Sequence, residues 1–153
     1  MDHKKQVEAL FAAESKGDVE AIVELMAEDA VLLMGCLRIY DRTAKVRYEG
    51  KREIRDLYSE QVKARGNFSI EAVNYIQEGN MVAAGWIVKR GQDGTDIRRG
   101  VDLFQFRHDK IVRGAVYVDL ASLPFPGSDA LTPTKGLDIR RKSFIIIWKL
   151  YSI

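Results

Sequence analysis

The chain has 153 residues, 46% apolar and 30% charged, a balance that can bury a single-domain core and excludes a disordered or collagen-like polymer. A formal charge of +2 is too small to mark a nucleic-acid binder. One cysteine, Cys36, excludes an internal disulfide, and two distant histidines, His3 and His108, argue against a metal cluster.

In chain order, Val7, Leu10 and Phe11 recur at helical spacing, which predicts a first amphipathic helix ending near Lys16-Gly17. Asp18 then caps a second helix carrying Val19, Ile22, Leu25 and Met26 and ending at Glu28-Asp29. Ala30–Leu33 reads as a short strand, and the charged stretch from Arg38 to Tyr48 as irregular. Gly50 opens a third helix with Ile54, Leu57, Tyr58 and Gln61 on one stripe. Beyond Gly66-Asn67 the period becomes two. Phe68, Ile70, Ala72, Asn74 and Ile76 fall on one face of a long strand, opposite Val73 and Tyr75. Three more strands follow: Met81–Arg90, Asp96–Phe106 and Ile111–Asp119. The turns between them hold Asp93-Gly94 and His108-Asp109. Helices first and a consecutive antiparallel meander last give an α+β class. Pro124, Pro126 and Gly127 mark a linker to a basic tail. Residues 135–153 carry five basic side chains against Asp138, or +4, and leave −2 on the rest.

Several stretches carry a family resemblance. They are Phe11-Ala12-Ala13 through Gly17-Asp18, Ile22 through Ala30, Tyr48-Glu49-Gly50 with Ile54-Arg55-Asp56-Leu57-Tyr58, and Val101 through Phe106 followed by Asp109-Lys110-Ile111-Val112. In that order over roughly residues 5–122, the chain resembles the nuclear transport factor 2-like superfamily, in its SnoaL-like and ketosteroid-isomerase-like branch. The resemblance implies a cone of curved antiparallel sheet, an α+β barrel closed by three N-terminal helices around an apolar pocket. It assigns residues 1–123 to the cone and 124–153 to an extension packed on the same domain or on a dimer partner.

Strand alternation puts Gly100, Asp102, Phe104 and Phe106 on one face, and a carboxyl among phenylalanines needs a partner or loses its charge. By resemblance, Asp102 falls where ketosteroid isomerases keep a protonated acid that donates to a developing oxyanion. It also reads as an outward strand residue, or as a buried partner for Arg98 or Arg38. The family's helix-one tyrosine falls on Leu10 and its general-base aspartate on Met34, so the steroid-isomerase mechanism is rejected. The last-strand aspartate of limonene epoxide hydrolases falls on Val116 and is likewise missing. The candidate catalytic set is therefore Asp102, Tyr58 and Arg38, with Met34, Cys36 and Arg38 sharing a face if the first strand runs that far. Met34, Leu57, Trp86, Phe104, Phe106, Val116 and Val118 are the expected ligand-binding wall, with no metal and no cofactor. Arg98-Arg99 reads as a solvated pair.

Two function classes follow. One is an isomerase, cyclase, dehydratase or hydrolase acting on a compact, largely apolar molecule with a carbonyl or hydroxyl. The other is a carrier or dimerisation module that has lost its chemistry. A carboxyl buried beside a cavity of ligand size favours the first, and a cone filled by its own side chains the second. A homodimer through the outer sheet face is expected, with no nucleic acid and no membrane as partner. The polar start, Met1 to Lys5, and the short apolar run Phe144–Trp148 predict a cytoplasmic chain without leader or membrane span.

Overall fold

Gly17 decides where the first helix stops. The computed structural model, which describes residues 2–39, 41–91 and 93–119, places this glycine in the left-handed conformation (φ 71°) just past α1, Lys4–Lys16. Its amide closes on the carbonyls of Ala13 and Glu14. Asp18 follows as the cap of α2, Val19–Glu24, accepting from the Ala21 amide at 3.0 Å. The second helix is one turn shorter than its apolar pattern suggests. Met26 is captured by Ile111 of the last strand, and Ile111 donates to the Leu25 carbonyl, so extended structure begins at Met26.

Six strands form one curved, open sheet in the order β2-β1-β6-β5-β4-β3. They are β1 Met26–Leu33, β2 Arg47–Glu49, β3 Phe68–Glu78, β4 Met81–Arg90, β5 Asp96–Arg107 and β6 Lys110–Val118. β3 to β6 make the antiparallel meander. β1 joins β6 in parallel, so one pair departs from the antiparallel expectation, and the sheet does not close into a barrel. β2 turns the stretch expected to be irregular into an edge strand paired with β1. α3, Gly50–Ala64, packs against β1 and α2, and α1 against β3 and α2.

Bulges supply the curvature. On β3, Ala72 pairs with Trp86 and Asn74 with Gly85, so Val73 is an extra residue. The extra residue inverts the alternation. Tyr75 and Gln77 turn to the half-buried face, and Ile76 is 57% exposed, the reverse of what an unbroken period of two assigns. Gly85 permits this, because a Cβ there would overlap the Asn74 amide. The core between sheet and helices holds Val7, Leu10, Ile22, Met26, Ile54, Phe106 and Ile111, all nearly or fully buried.

Candidate functional site

The stripe of α1 that buries Val7, Leu10 and Phe11 also carries Glu14 inward, leaving it 8% exposed. From α3, the stripe of Ile54 brings Tyr58 to meet it, and the Tyr58 hydroxyl donates to Glu14 Oε1 at 2.8 Å. From the sheet, Asp102 on β5 and Trp86 on β4 are diagonal neighbours, two residues apart in register, and the indole Nε1 donates to Asp102 Oδ1 at 2.7 Å. All four side chains line one cavity of about 350 Å³, within the size range of small-molecule pockets. Its remaining wall is mostly apolar, from Met34, Ile70, Val88, Val116 and Val118, with Phe68 at one side.

Gly100 keeps the Trp86–Asp102 contact possible. It pairs directly with Trp86 across β4 and β5, and a Cβ there would overlap the indole and the Tyr117 carbonyl. The indole therefore lies over a glycine and reaches two residues along β5 to the carboxyl.

The two carboxyls sit in different fields. Burial pushes Glu14 up to about 7, opposed by the Tyr58 hydrogen bond and the Arg65 charge. Burial and the charge of Glu14 raise Asp102 well above the carboxylate range, with only the Trp86 hydrogen bond in opposition. Glu14, with two stabilising partners for its anion, ionises first, and Asp102 stays protonated. Burial also raises the Tyr58 hydroxyl, reinforced by Glu14, so it remains a donor. The Cys36 thiol is pushed up to about 11 by burial and by Asp102, so it is not a nucleophile at neutral pH.

Of the residues singled out in the sequence, Asp102, Tyr58, Met34, Trp86, Val116 and Val118 come together on this wall. Arg38 does not. β1 stops at Leu33 and the chain passes into a 3₁₀ turn, Gly35–Ile39, so the two-residue period that would align Met34, Cys36 and Arg38 is lost. Cys36 and Leu37 reach the cavity, whereas Arg38 is exposed and donates to the Ala44 carbonyl. Leu57 is buried but one step, about 100°, around α3 from Tyr58, and the cavity wall does not include it. Phe104 and Phe106 also lie outside that wall. They fill the core, Phe104 edge-on to Phe11 and Phe106 stacked on His3 at 4.3 Å.

Three residues of the site were not singled out as candidates. Glu14 shares the helical stripe of Val7, Leu10 and Phe11, the signal that could have found it. Arg65 continues the stripe of Ile54, Tyr58 and Gln61 just past α3. Arg98 is not a solvated residue: it shares the β5 face of Asp102, is buried, and pairs with Asp96 at 2.6 Å.

A SnoaL-like domain model matches residues 7–114. The chain belongs to the SnoaL-like family. Solved structures with this fold include a proposed isomerase from Bacillus subtilis, 19% identical, with a TM-score of 0.67 over 78% of this chain and 88% of that one. A proposed polyketide cyclase from Sinorhizobium meliloti is 21% identical, with a TM-score of 0.58 over 72% and 91%. A ketosteroid-isomerase-like protein from Catenulispora acidiphila, in complex with trimethylamine, is 17% identical, with a TM-score of 0.64 over 76% and 86%. No curated protein matches the sequence. Among the described residues, no helix of this SnoaL-like chain is long and apolar enough to cross a membrane.

Proposed function

We propose that this SnoaL-like protein binds a compact, largely apolar molecule bearing a carbonyl or hydroxyl and transforms it by proton transfer, without a cofactor. One observation carries the reading: two buried carboxyls with unlike partners, Glu14 with Tyr58 and Asp102 with Trp86, line the same cavity. Carboxyls whose environments separate their ionisation divide naturally into a base and an acid.

In this reading Glu14 takes the place of the strand-one base that Met34 cannot supply. Its carboxylate removes a proton from carbon next to the carbonyl or from a hydroxyl. The electron pair moves onto the carbonyl oxygen, which accepts a hydrogen bond from the protonated Asp102. Glu14 then returns the proton to another position, so the net change is an isomerisation and no oxidant is consumed; where the enolate carbon instead attacks a second carbonyl of the same molecule, a ring bond forms and the proton goes to the new alkoxide. Tyr58 holds Glu14 in place by its hydrogen bond, and Trp86 holds Asp102. Arg38, turned away from the cavity, has no part. The isomerase and cyclase descriptions of the B. subtilis and S. meliloti proteins, and the small organic molecule held by the C. acidiphila protein, fit this class.

The test is a thermal-shift screen of the full chain with small ketones, lactones and epoxides, followed by turnover assays on the binders. A binder that is turned over, with turnover lowered about 10²-fold or more in both Asp102→Asn and Glu14→Gln, supports the reading. A binder that is never transformed leaves the carrier reading instead, and the absence of any binder overturns both.

The outer face of the sheet supports a second copy of the chain as partner. Val73 on β3 is 55% exposed, and Ile76, Ile97 and Tyr117 are also exposed outside the cone.

A further inference from the structure

Arginines gather at one part of the cavity wall. Arg65 follows α3, Arg90 ends β4 and Arg98 lies on β5, and all three line the cavity. The guanidinium of Arg65 stacks on the Phe68 ring at 4.1 Å and donates to the Glu14 carbonyl, so its position is fixed. Arg98 is engaged by Asp96 through two hydrogen bonds, at 2.6 and 3.0 Å. Arg90 sits opposite Asp96 in the β4–β5 register, but among the described residues no carboxylate lies within ion-pair distance of it. Arg90 lies near enough to Arg65 to disfavour the Arg65 charge, adding to the effect of burial. Asp96 answers Arg98 directly and also feels the Arg90 charge, and ionised Glu14 answers Arg65, so three guanidiniums against two carboxylates leave this part of the wall with an excess of one positive charge. Both Arg65 and Arg90 are half-exposed, whereas Glu14, Tyr58 and Asp102 are buried, so the charge lies toward solvent and the carboxyls deeper.

We propose that the substrate is an anion: a ring-sized apolar acid whose carboxylate or acidic enolate meets Arg90 and Arg65 at the outer wall, while its carbonyl or hydroxyl end reaches Asp102 and Glu14. This rests on the reading above and names its substrate class. An anion relieves the mutual repulsion of the two arginines and finds planar, two-toothed donors. The apolar ring fits between Phe68, Ile70, Trp86 and Val88. A neutral ketone would leave the excess positive charge of the outer wall unanswered. A cation would have to pass it to reach one ionisable carboxylate, since Asp102 is held neutral.

Calorimetric titration of the full chain with three matched probes decides the matter: 2-naphthoate, the neutral 2-acetonaphthone and the cationic 2-naphthylmethylamine, at pH 7 in low and high salt. The expected result is naphthoate binding roughly tenfold or more tighter than the ketone at low salt, with the margin shrinking as salt screens it. Arg90→Gln should abolish the margin and leave ketone binding in place, and Arg90→Glu should turn the preference toward the amine. The thermal unfolding of both variants serves as the check on folding. Ketone or amine binding as tightly as naphthoate overturns the anion, as does a margin that survives Arg90→Glu, while leaving a small-molecule pocket standing. Failure of all three probes alongside binding by members of the neutral panel does the same. Failure of every compound in both experiments overturns the underlying reading as well.

Discussion

Glu14 places an ionisable group inside a helix-to-sheet interface, where it acts on stability as well as chemistry. Its proton is held in the folded state up to about pH 7, whereas the unfolded chain releases it near the ordinary value of about 4.3. Between those values the unfolded state binds fewer protons, so stability falls as pH rises, by at most about 1.4 kcal/mol per pH unit. The Glu14→Gln variant keeps an acceptor for Tyr58 and has nothing to ionise. Thermal unfolding from pH 4.5 to 7.5 should therefore show the wild-type Tm dropping relative to this variant, with most of the gap opening below pH 7. Parallel curves would mean that Glu14 is ionised throughout. Asp102, whose carboxyl burial and the Glu14 charge also raise, has the same sign. Tyr58→Phe should remove the donor that favours the Glu14 anion and move the acidic limb of any pH–rate profile upward. An unmoved limb would exclude Glu14 as the titrating group.

At the scale of the strand, the site depends on two glycines on neighbouring strands. Gly100 leaves the space in which the Trp86 indole lies, and Gly85 accommodates the β3 bulge opposite it. Gly100→Ala should force the indole off Asp102. The expected cost is about 1–3 kcal/mol, as for overpacking, together with a changed environment of Trp86 in its fluorescence. A variant with unchanged Tm and an unperturbed indole would show that the β4–β5 contact is loose. The bulge at Val73 works differently, by bending β3 and reversing which side chains face the helices. Deleting Val73 should remove the bulge and straighten β3 while leaving Tyr75 inward and Ile76 outward, and weaken the packing of α1 on β3, read as a lowered Tm.

For the molecule as a whole, the open sheet leaves its outer face to be covered. If a second copy covers it, light scattering at micromolar concentration should give twice the mass of one chain. Val73→Lys with Ile76→Lys should then return it toward the monomer, since a charge opposite its own copy is disfavoured. A monomeric wild type would count against the dimer. The basic tail of residues 135–153, expected to pack on its own cone or on the partner, lies outside the described residues. Its sequence still makes a demand: Phe144–Trp148 is a β-prone apolar run that aggregates when left free. Removing residues 135–153 should lower stability or dissociate the dimer, and a truncated chain equal to the full one in both would make the tail dispensable.

Local pattern was enough for the three helices and the four-strand meander, for the shared face of Gly100 and Asp102, and for Tyr58 on the stripe of Ile54. Each of these follows from a period of 3.6 or of two acting within one segment. The SnoaL-like membership was legible in the same way, from short stretches in a fixed order. The Glu14–Tyr58 pair was not legible, because the two residues are 44 apart in sequence and meet only when α1 and α3 pack on the same sheet. The exclusion of Arg38 also waited on the fold: a strand continuing past Leu33 would have kept it in line with Met34, and a 3₁₀ turn did not. The parallel pairing of β1 with β6 and the bulge at Val73 are matters of which strand lies beside which. Periodicity along one segment carries no information about its neighbour, so the direction of pairing, the inverted face of β3 and the convergence of two carboxyls with unlike partners on one cavity were decided by tertiary structure alone.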